Sequence, residues 1–305
     1  MQDIIMLLQK VLPVFLVLML GVLCRKKQII SREGINVLKT TAVNIALPAV
    51  MVNAFATAEY SLKSIIVPST VFIFCVLALI LGFIACRLFK IAGRLSPYIS
   101  AGFEAGMLGY ALFAILFPGE SASHFAIIDL GQVLFVFTVY KILLAGKKGG
   151  MGALKEAFAS PVVWGILLGL LIGATGLYDA LRPSGISDVL DAVTSFISAP
   201  TSVLILLGIG YDLDPARMRF KKVGSLILLR LAVSAVLLGA AYLVDRLILG
   251  GMMHTGALIL MFVLPPPYVL PVFADVESER ADISSTLSAL TLVSLALFAV
   301  LAVIL

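Results

Sequence analysis

Charge is what this 305-residue sequence holds least of: 13% of its residues are charged, 61% are hydrophobic, and the mean hydropathy is +1.14. Soluble domains carry about 25% charged and about 45–50% apolar residues, so a water-soluble globular fold is excluded. Cysteine is also scarce. Cys24, Cys75 and Cys86 lie in or beside apolar segments without a CxxC spacing and read as small hydrophobes, with no disulfide or metal site. No N-x-S/T sequon occurs. No HExxH motif, paired metal ligands or nucleophile–histidine arrangement lies in the apolar runs, which argues against an enzyme. The only two histidines, His124 and His254, stand isolated near segment ends, and the single tryptophan, Trp164, reads as an interfacial anchor. The apolar runs are continuous rather than alternating, which excludes a closed barrel.

What remains is a polytopic α-helical membrane protein. The hydrocarbon core is about 30 Å thick and takes about 20 helical residues per crossing. Ten runs fit: 4–24, 34–57, 64–86, 97–118, 123–144, 159–178, 187–210, 223–248, 252–274 and 282–305. The first lacks a basic leader and a small-residue cleavage site, so it is expected to be retained. Basic residues sit mainly in the odd-numbered connections, for example Arg25, Lys26, Lys27 and Arg32 in the first and Arg217, Arg219, Lys221 and Lys222 in the seventh. The even-numbered connections carry only Lys63, Arg182 and Arg246. The positive-inside rule therefore places the odd connections in the cytoplasm and both termini outside it. With the basic residues so placed, the net charge of +5 calls for no nucleic-acid partner.

The halves resemble each other. PVFLVLMLG (Pro13–Gly21) matches PVVWGILLG (Pro161–Gly169) with Pro and Gly at the same spacing. Val37 and Leu38 precede Pro48 as Val189 and Leu190 precede Pro200. The GKKGGMG stretch, 146–152, reads as the linker, giving repeats at 1–150 and 151–305. Five segments per half, an odd number, insert the second half upside down, the architecture of many secondary transporters.

The ninth segment contains VLPPPYVLPVFA, with Pro265, Pro266, Pro267 and Pro271. Each proline lacks an amide donor and costs about 3 kcal/mol in a helix interior. The fourth segment, in the corresponding place, reads GFEAGMLGYALF, with Gly106 and Gly109 near its centre. Aligning Gly109–Tyr110 with Pro267–Tyr268 sets two helix breaks opposite each other. Such breaks are tolerated in a membrane only where protein or a cavity serves their backbone groups, and the start of a second half-helix suits an anion.

Intramembrane polar residues narrow the chemistry. Glu104 stands beside the proposed break, where an acid is protonated, paired or bound to a cation. Asp129 and Gln132 lie about one turn apart on one helical face, although Asp129, close to His124, also fits hydration at the outer surface. Ser285 and Ser288 belong to a run of hydroxyls in the last segment that can ligate a cation or pack helices. Lys39 and Asp191 occupy equivalent repeat positions near opposite faces and read as snorkelling side chains. Arg230 and Lys141 read as end-of-segment residues.

NIALPAVMVNAF (Asn44–Phe55), FEAGMLGY, DLGQ, LLGIGYDLDP and the proline-rich ninth segment together resemble the auxin efflux carrier (PIN-like) family over essentially the whole chain. The resemblance implies ten helices in two inverted repeats. By analogy with the related bile acid:sodium symporter fold, segments 1, 2, 6 and 7 form a panel and the other six a core holding the crossed helices 4 and 9. It also implies transport of organic acids. The chain departs from the pattern at Glu104, where members commonly carry Asn, and at Ala111, where they often carry Pro. It has no long central loop, as in bacterial-type carriers, so the expected location is a bacterial inner membrane.

The expected function is alternating-access transport of a small organic anion, coupled to Na⁺ or H⁺. Asn44, Gly106, Gly109, Tyr110, Pro265, Pro266, Pro267 and Tyr268 are the substrate-binding candidates. Glu104, Asp129, Gln132, Ser285 and Ser288 are the coupling-ion candidates, with no cofactor beyond that ion and no metal beyond Na⁺. The expected partners are the organic acid, the bilayer and, as a candidate, a second copy of the chain. An uncoupled, potential-driven uniporter and, from another class, a channel or membrane sensor stay open.

Overall fold

The computed structural model describes residues 2–58, 60–61, 63–145, 160–212, 220–270 and 277–304. The 146–152 linker stretch, Arg217, Arg219 and Pro271 lie outside the described residues. Those described fold into helices and connecting turns, with no strand among them. That is the outcome hydrocarbon imposes, because a helix satisfies its backbone polar groups within one segment. Among the described residues, six helices are long and apolar enough to cross a membrane: Arg32–Ala56, Ile65–Leu88, Ser123–Leu144, Ile186–Asp212, Lys222–Leu247 and Ser285–Ile304. Pro161–Ala174 and Leu177–Ser184, bent by 70°, make a seventh if counted as one. Large apolar side chains such as Leu20, Leu228, Val236 and Leu243 lie exposed along the helices, as on a lipid-facing surface. The chain is built as a polytopic membrane protein.

In chain order, α1 is Gln2–Lys26, α2 Arg32–Thr41, α3 Leu47–Ala56 and α4 Lys63–Leu88. A 3₁₀ turn, Ser96–Ser100, and a π turn, Ala105–Gly109, precede α5, Tyr110–Leu116. Then come α6 (Ser123–Phe135), α7 (Lys141–Ala145), α8 (Pro161–Ala174) and α9 (Leu177–Leu181). The series closes with α10 (Ile186–Ser198), α11 (Thr201–Asp212), α12 (Phe220–Leu247), α13 (Thr255–Val263) and α14 (Glu277–Ile304).

Two interfaces dominate the α1–α3 and α8–α11 part: α1 packs along α11, and α3 along α8. Glycine makes both close. A Cβ on Gly21 would sit 2.3 Å from the Leu207 carbonyl, and one on Gly169 would sit 2.8 Å from the Val52 carbonyl. Lipid offers no hydrophobic drive between helices, so small residues that let backbones touch do the joining. These are the two glycines matched in the PVFLVLMLG and PVVWGILLG stretches. The prolines that follow also act alike. A π turn, Ala42–Ala46, precedes Pro48, and the break between α10 and α11 falls at Pro200.

Lys39 and Asp191 do not pair with each other, but the structure corrects their reading as snorkelling residues. Lys39 Nζ and Arg32 Nη1 both donate to Asp212 at the end of α11, the latter at 2.5 Å. Asp191 accepts from Asn53 Nδ2 at 2.8 Å and from the Tyr178 hydroxyl at 2.6 Å. The α2–α3 segment is thus tied to α10–α11 at both ends. A polar side chain in a low-dielectric setting takes a partner when a facing helix offers one.

Gly169→Val should lower the thermal stability of the purified protein by about 1–3 kcal/mol, the usual cost of overpacking. Gly239→Ala, where an added Cβ meets nothing within 4 Å, should leave it unchanged or slightly raised. Melting curves of both variants check this.

Candidate functional site

Two backbone interruptions meet inside the molecule. In the first, the chain leaves the 3₁₀ turn in an extended conformation at Ala101 (φ −118°, ψ 154°) and turns at Gly102 (φ +70°). It runs through Phe103 and Glu104 before the π turn restores helix. This break lies ahead of Gly106 and Gly109, which sit in the π turn itself. In the second, α13 stops at Val263 and Leu264 is extended (φ −63°, ψ 149°). Leu264, Pro265 and Pro266 each precede a proline, whose ring disfavours helical backbone in the residue before it, so three prolines in a row pin an open stretch.

The breaks are stitched by reciprocal hydrogen bonds. The Glu104 amide donates to the Pro265 carbonyl at 2.8 Å, and the Tyr268 amide donates to Glu104 Oε2 at 2.5 Å. Prolines 265–267 have no N–H, so Tyr268 is the first donor after them, and a carboxylate takes it. A Cβ on Gly102 would lie 2.7 Å from Pro267 Cγ, which is why the crossing needs glycine. Phe103 packs edge-on against Phe262, centroids 5.0 Å apart.

Arg230, in α12, serves the carbonyls. Its Nη2 donates to Leu264 O at 2.9 Å and its Nη1 to Ile99 O at 3.3 Å, one acceptor from each interrupted segment. Its guanidinium carbon lies 4.8 Å from the centre of the Phe103 ring. Arg230 is 2% exposed, and its Nε finds no acceptor among the described residues. The end-of-segment reading of Arg230 is therefore corrected: a side chain nearly three turns into an apolar helix reaches inward to the break rather than outward to the interface. Lys141, read the same way, is also buried.

A second polar group lies nearby. Asp129 accepts from the Tyr110 hydroxyl and from Gln132 Nε2, both at 3.1 Å, so the one-turn spacing read from the sequence does place the two α6 side chains together. Asp129 is 2% exposed, which overturns hydration at the outer surface. Tyr268 bonds through its hydroxyl to Thr291 on α14 at 2.6 Å, while Ser285 and Ser288 lie half-buried on the same helix.

The remaining candidates divide. Pro265, Pro266 and Pro267 are buried at the crossing. Gly106 borders Leu47 of α3, and Gly109 is closed over by Phe125 and Leu264, so Gly109 is a packing position. Tyr110 is buried with its hydroxyl on Asp129. Asn44 is exposed in the π turn before α3 and makes no side-chain hydrogen bond among the described residues.

No protein-family model matches the chain. An uncharacterized transporter of Methanothermobacter thermautotrophicus is 24% identical over 213 residues, which cover 68% of this chain and 68% of that protein.

Replacing Arg230 with Met should leave the Leu264 and Ile99 carbonyls buried without a donor. The expected loss is about 1–3 kcal/mol for each acceptor stranded, visible as a lower melting temperature. Arg230→Lys, which keeps a donor but not the fork, should fall between the two.

Proposed function

We propose that this chain is a secondary transporter of a small organic anion, working by alternating access at the crossing of its two interrupted segments. The observation that carries the reading is the stitch itself: an acid, Glu104, and a buried guanidinium, Arg230, both committed to backbone groups that two breaks leave open. Interrupted backbone deep in apolar helices is tolerated where it builds a binding site, and secondary transporters use it so. The likeness to an uncharacterized transporter supports transport in general.

In this reading the ten segments form two inverted five-helix repeats, as in the auxin efflux carrier family the sequence resembles. Exchange of packing partners supports the repeat. Segment one packs on segment seven and segment two on segment six, the relation an inverted duplication produces. Segments 1, 2, 6 and 7, joined by their glycines and by the Asp212 and Asp191 contacts, are the panel. The rest are the core, which moves against the panel near Leu47 and Gly106. The protein resides in a bacterial inner membrane with both termini outside the cytoplasm.

The stitch suggests how coupling works. Ionised Glu104 holds the Tyr268 amide by a charge-assisted bond, about twice as strong as a neutral one. A proton or Na⁺ on Glu104 weakens that hold and frees the amide for a substrate carboxylate, with Arg230 supplying positive charge. Two anions cannot share the amide in a low-dielectric site, so anion entry and neutralisation of Glu104 go together. Asp129, Gln132, Ser285 and Ser288 are the neighbours available to share the ion.

The test is uptake of radiolabelled small carboxylates into proteoliposomes, with an imposed proton or sodium gradient. Wild type should accumulate a carboxylate only when one gradient is present, and Glu104→Gln should lose that stimulation while retaining downhill exchange. Equal transport by both proteins, indifferent to either gradient, would make the chain an uncoupled uniporter. No carboxylate transport under any condition would remove the anion reading.

A further inference from the structure

The chain has only two histidines, and the fold brings them together. Their reading as isolated is overturned: the His124 and His254 rings stack at 8° with centroids 5.2 Å apart. Glu120 Oε2 lies 3.0 Å from His124 Nδ1. Ligand atoms of Glu120, His124 and His254 all fall within 4.8 Å of one another. The Glu120 and His124 side chains are 44% and 46% exposed, so a hydrated ion can reach them.

The third member is seated against two aromatic rings. His254 packs edge-on against Phe113 and Phe117 at 5.9 and 5.1 Å. The turn before it is fixed by buried Asp245, whose Oδ1 accepts the Met253 amide at 2.8 Å. Next to His254 in sequence, Thr255 accepts from Arg246 through its Oγ1 at 3.0 Å.

We propose that Glu120, His124 and His254 form a site for a divalent ion of the zinc class, joining the start of α6 to the start of α13. Two imidazoles and a carboxylate are a donor set that zinc takes in open sites, with water completing the shell. Zinc bond lengths of about 2.0–2.1 Å put neighbouring tetrahedral ligand atoms roughly 3.3 Å apart, close to the Glu120–His124 separation. The ion replaces the hydrogen shared by that pair, and reorientation of the His254 ring supplies the third bond.

The site is connected to the crossing. His254 Nδ1 accepts the Ala257 amide at 3.0 Å, capping α13, the half-helix that ends at the proline break. Metal on Nδ1 takes that lone pair; metal on Nε2 moves the ring hydrogen to Nδ1. Either way the Ala257 amide loses its acceptor. Ion and cap exclude each other.

Zinc chloride titrated calorimetrically into the detergent-purified full chain tests the site, with zinc-edge X-ray absorption on the loaded wild type. One ion per chain with imidazole scattering is expected, and this scattering can come only from these two side chains. His124→Ala and His254→Ala should each weaken binding at least about tenfold. Amide exchange at Ala257 should quicken with zinc bound. Undiminished binding to the double variant, absorption without imidazole, or no uptake by wild type would overturn the site; unchanged exchange at Ala257 would overturn the link to the cap. The absorption measurement stands even where a variant fails to fold.

Discussion

A backbone amide or carbonyl left open in hydrocarbon costs several kcal/mol, and no water is there to repair it. Most of the described chain meets that constraint with unbroken helix. At Gly102–Glu104 and Leu264–Tyr268 it does not, and each interruption is repaired by the other. Glu104 is central because one residue does two jobs: its amide satisfies Pro265, and its carboxylate satisfies Tyr268. The Leu264 and Ile99 carbonyls fall to Arg230. Replacing Arg230 would leave a carbonyl open in each segment, and replacing the Glu104 side chain would leave the Tyr268 amide open.

This arrangement concentrates charge where the surroundings are least able to screen it. Glu104, Asp129 and Arg230 are all buried. An acid engaged with a backbone donor can be released by neutralisation, whereas an arginine stays charged throughout. In the proposed coupling, Glu104 is the group that switches and Arg230 the one that does not. Elsewhere, the Asp212 and Asp191 contacts make α2–α3 and α10–α11 a braced pair.

Much of this was legible in the sequence. Continuous apolar runs announced the helical membrane class, the proline triplet announced the second break, and Glu104 stood out as an acid in the wrong solvent. The Asp129–Gln132 pair followed from helical spacing. Other features were hidden because they depend on what another segment presents. Gly106 and Gly109 marked the region of the first break, but its position at Gly102 was set by contact with Pro267, which no local pattern encodes. Arg230 read as an end-of-segment residue because its two carbonyl partners arise only from breaks in distant segments. The meeting of His124 with His254 likewise depends on how α6 and α13 are placed. A clue to Arg230 existed: orphaned carbonyls at two predicted breaks required a donor, and it was the cation deep in the eighth apolar run.

The central claim is that Glu104 closes the second break by taking the Tyr268 amide. Hydrogen–deuterium exchange of that amide, in wild type, Glu104→Ala and Asp129→Asn, tests it most directly. The account predicts protection in wild type, loss of protection in Glu104→Ala, and protection retained in Asp129→Asn. A Tyr268 amide equally protected without the Glu104 carboxylate would show that another group serves the break, and the crossing would need a different origin.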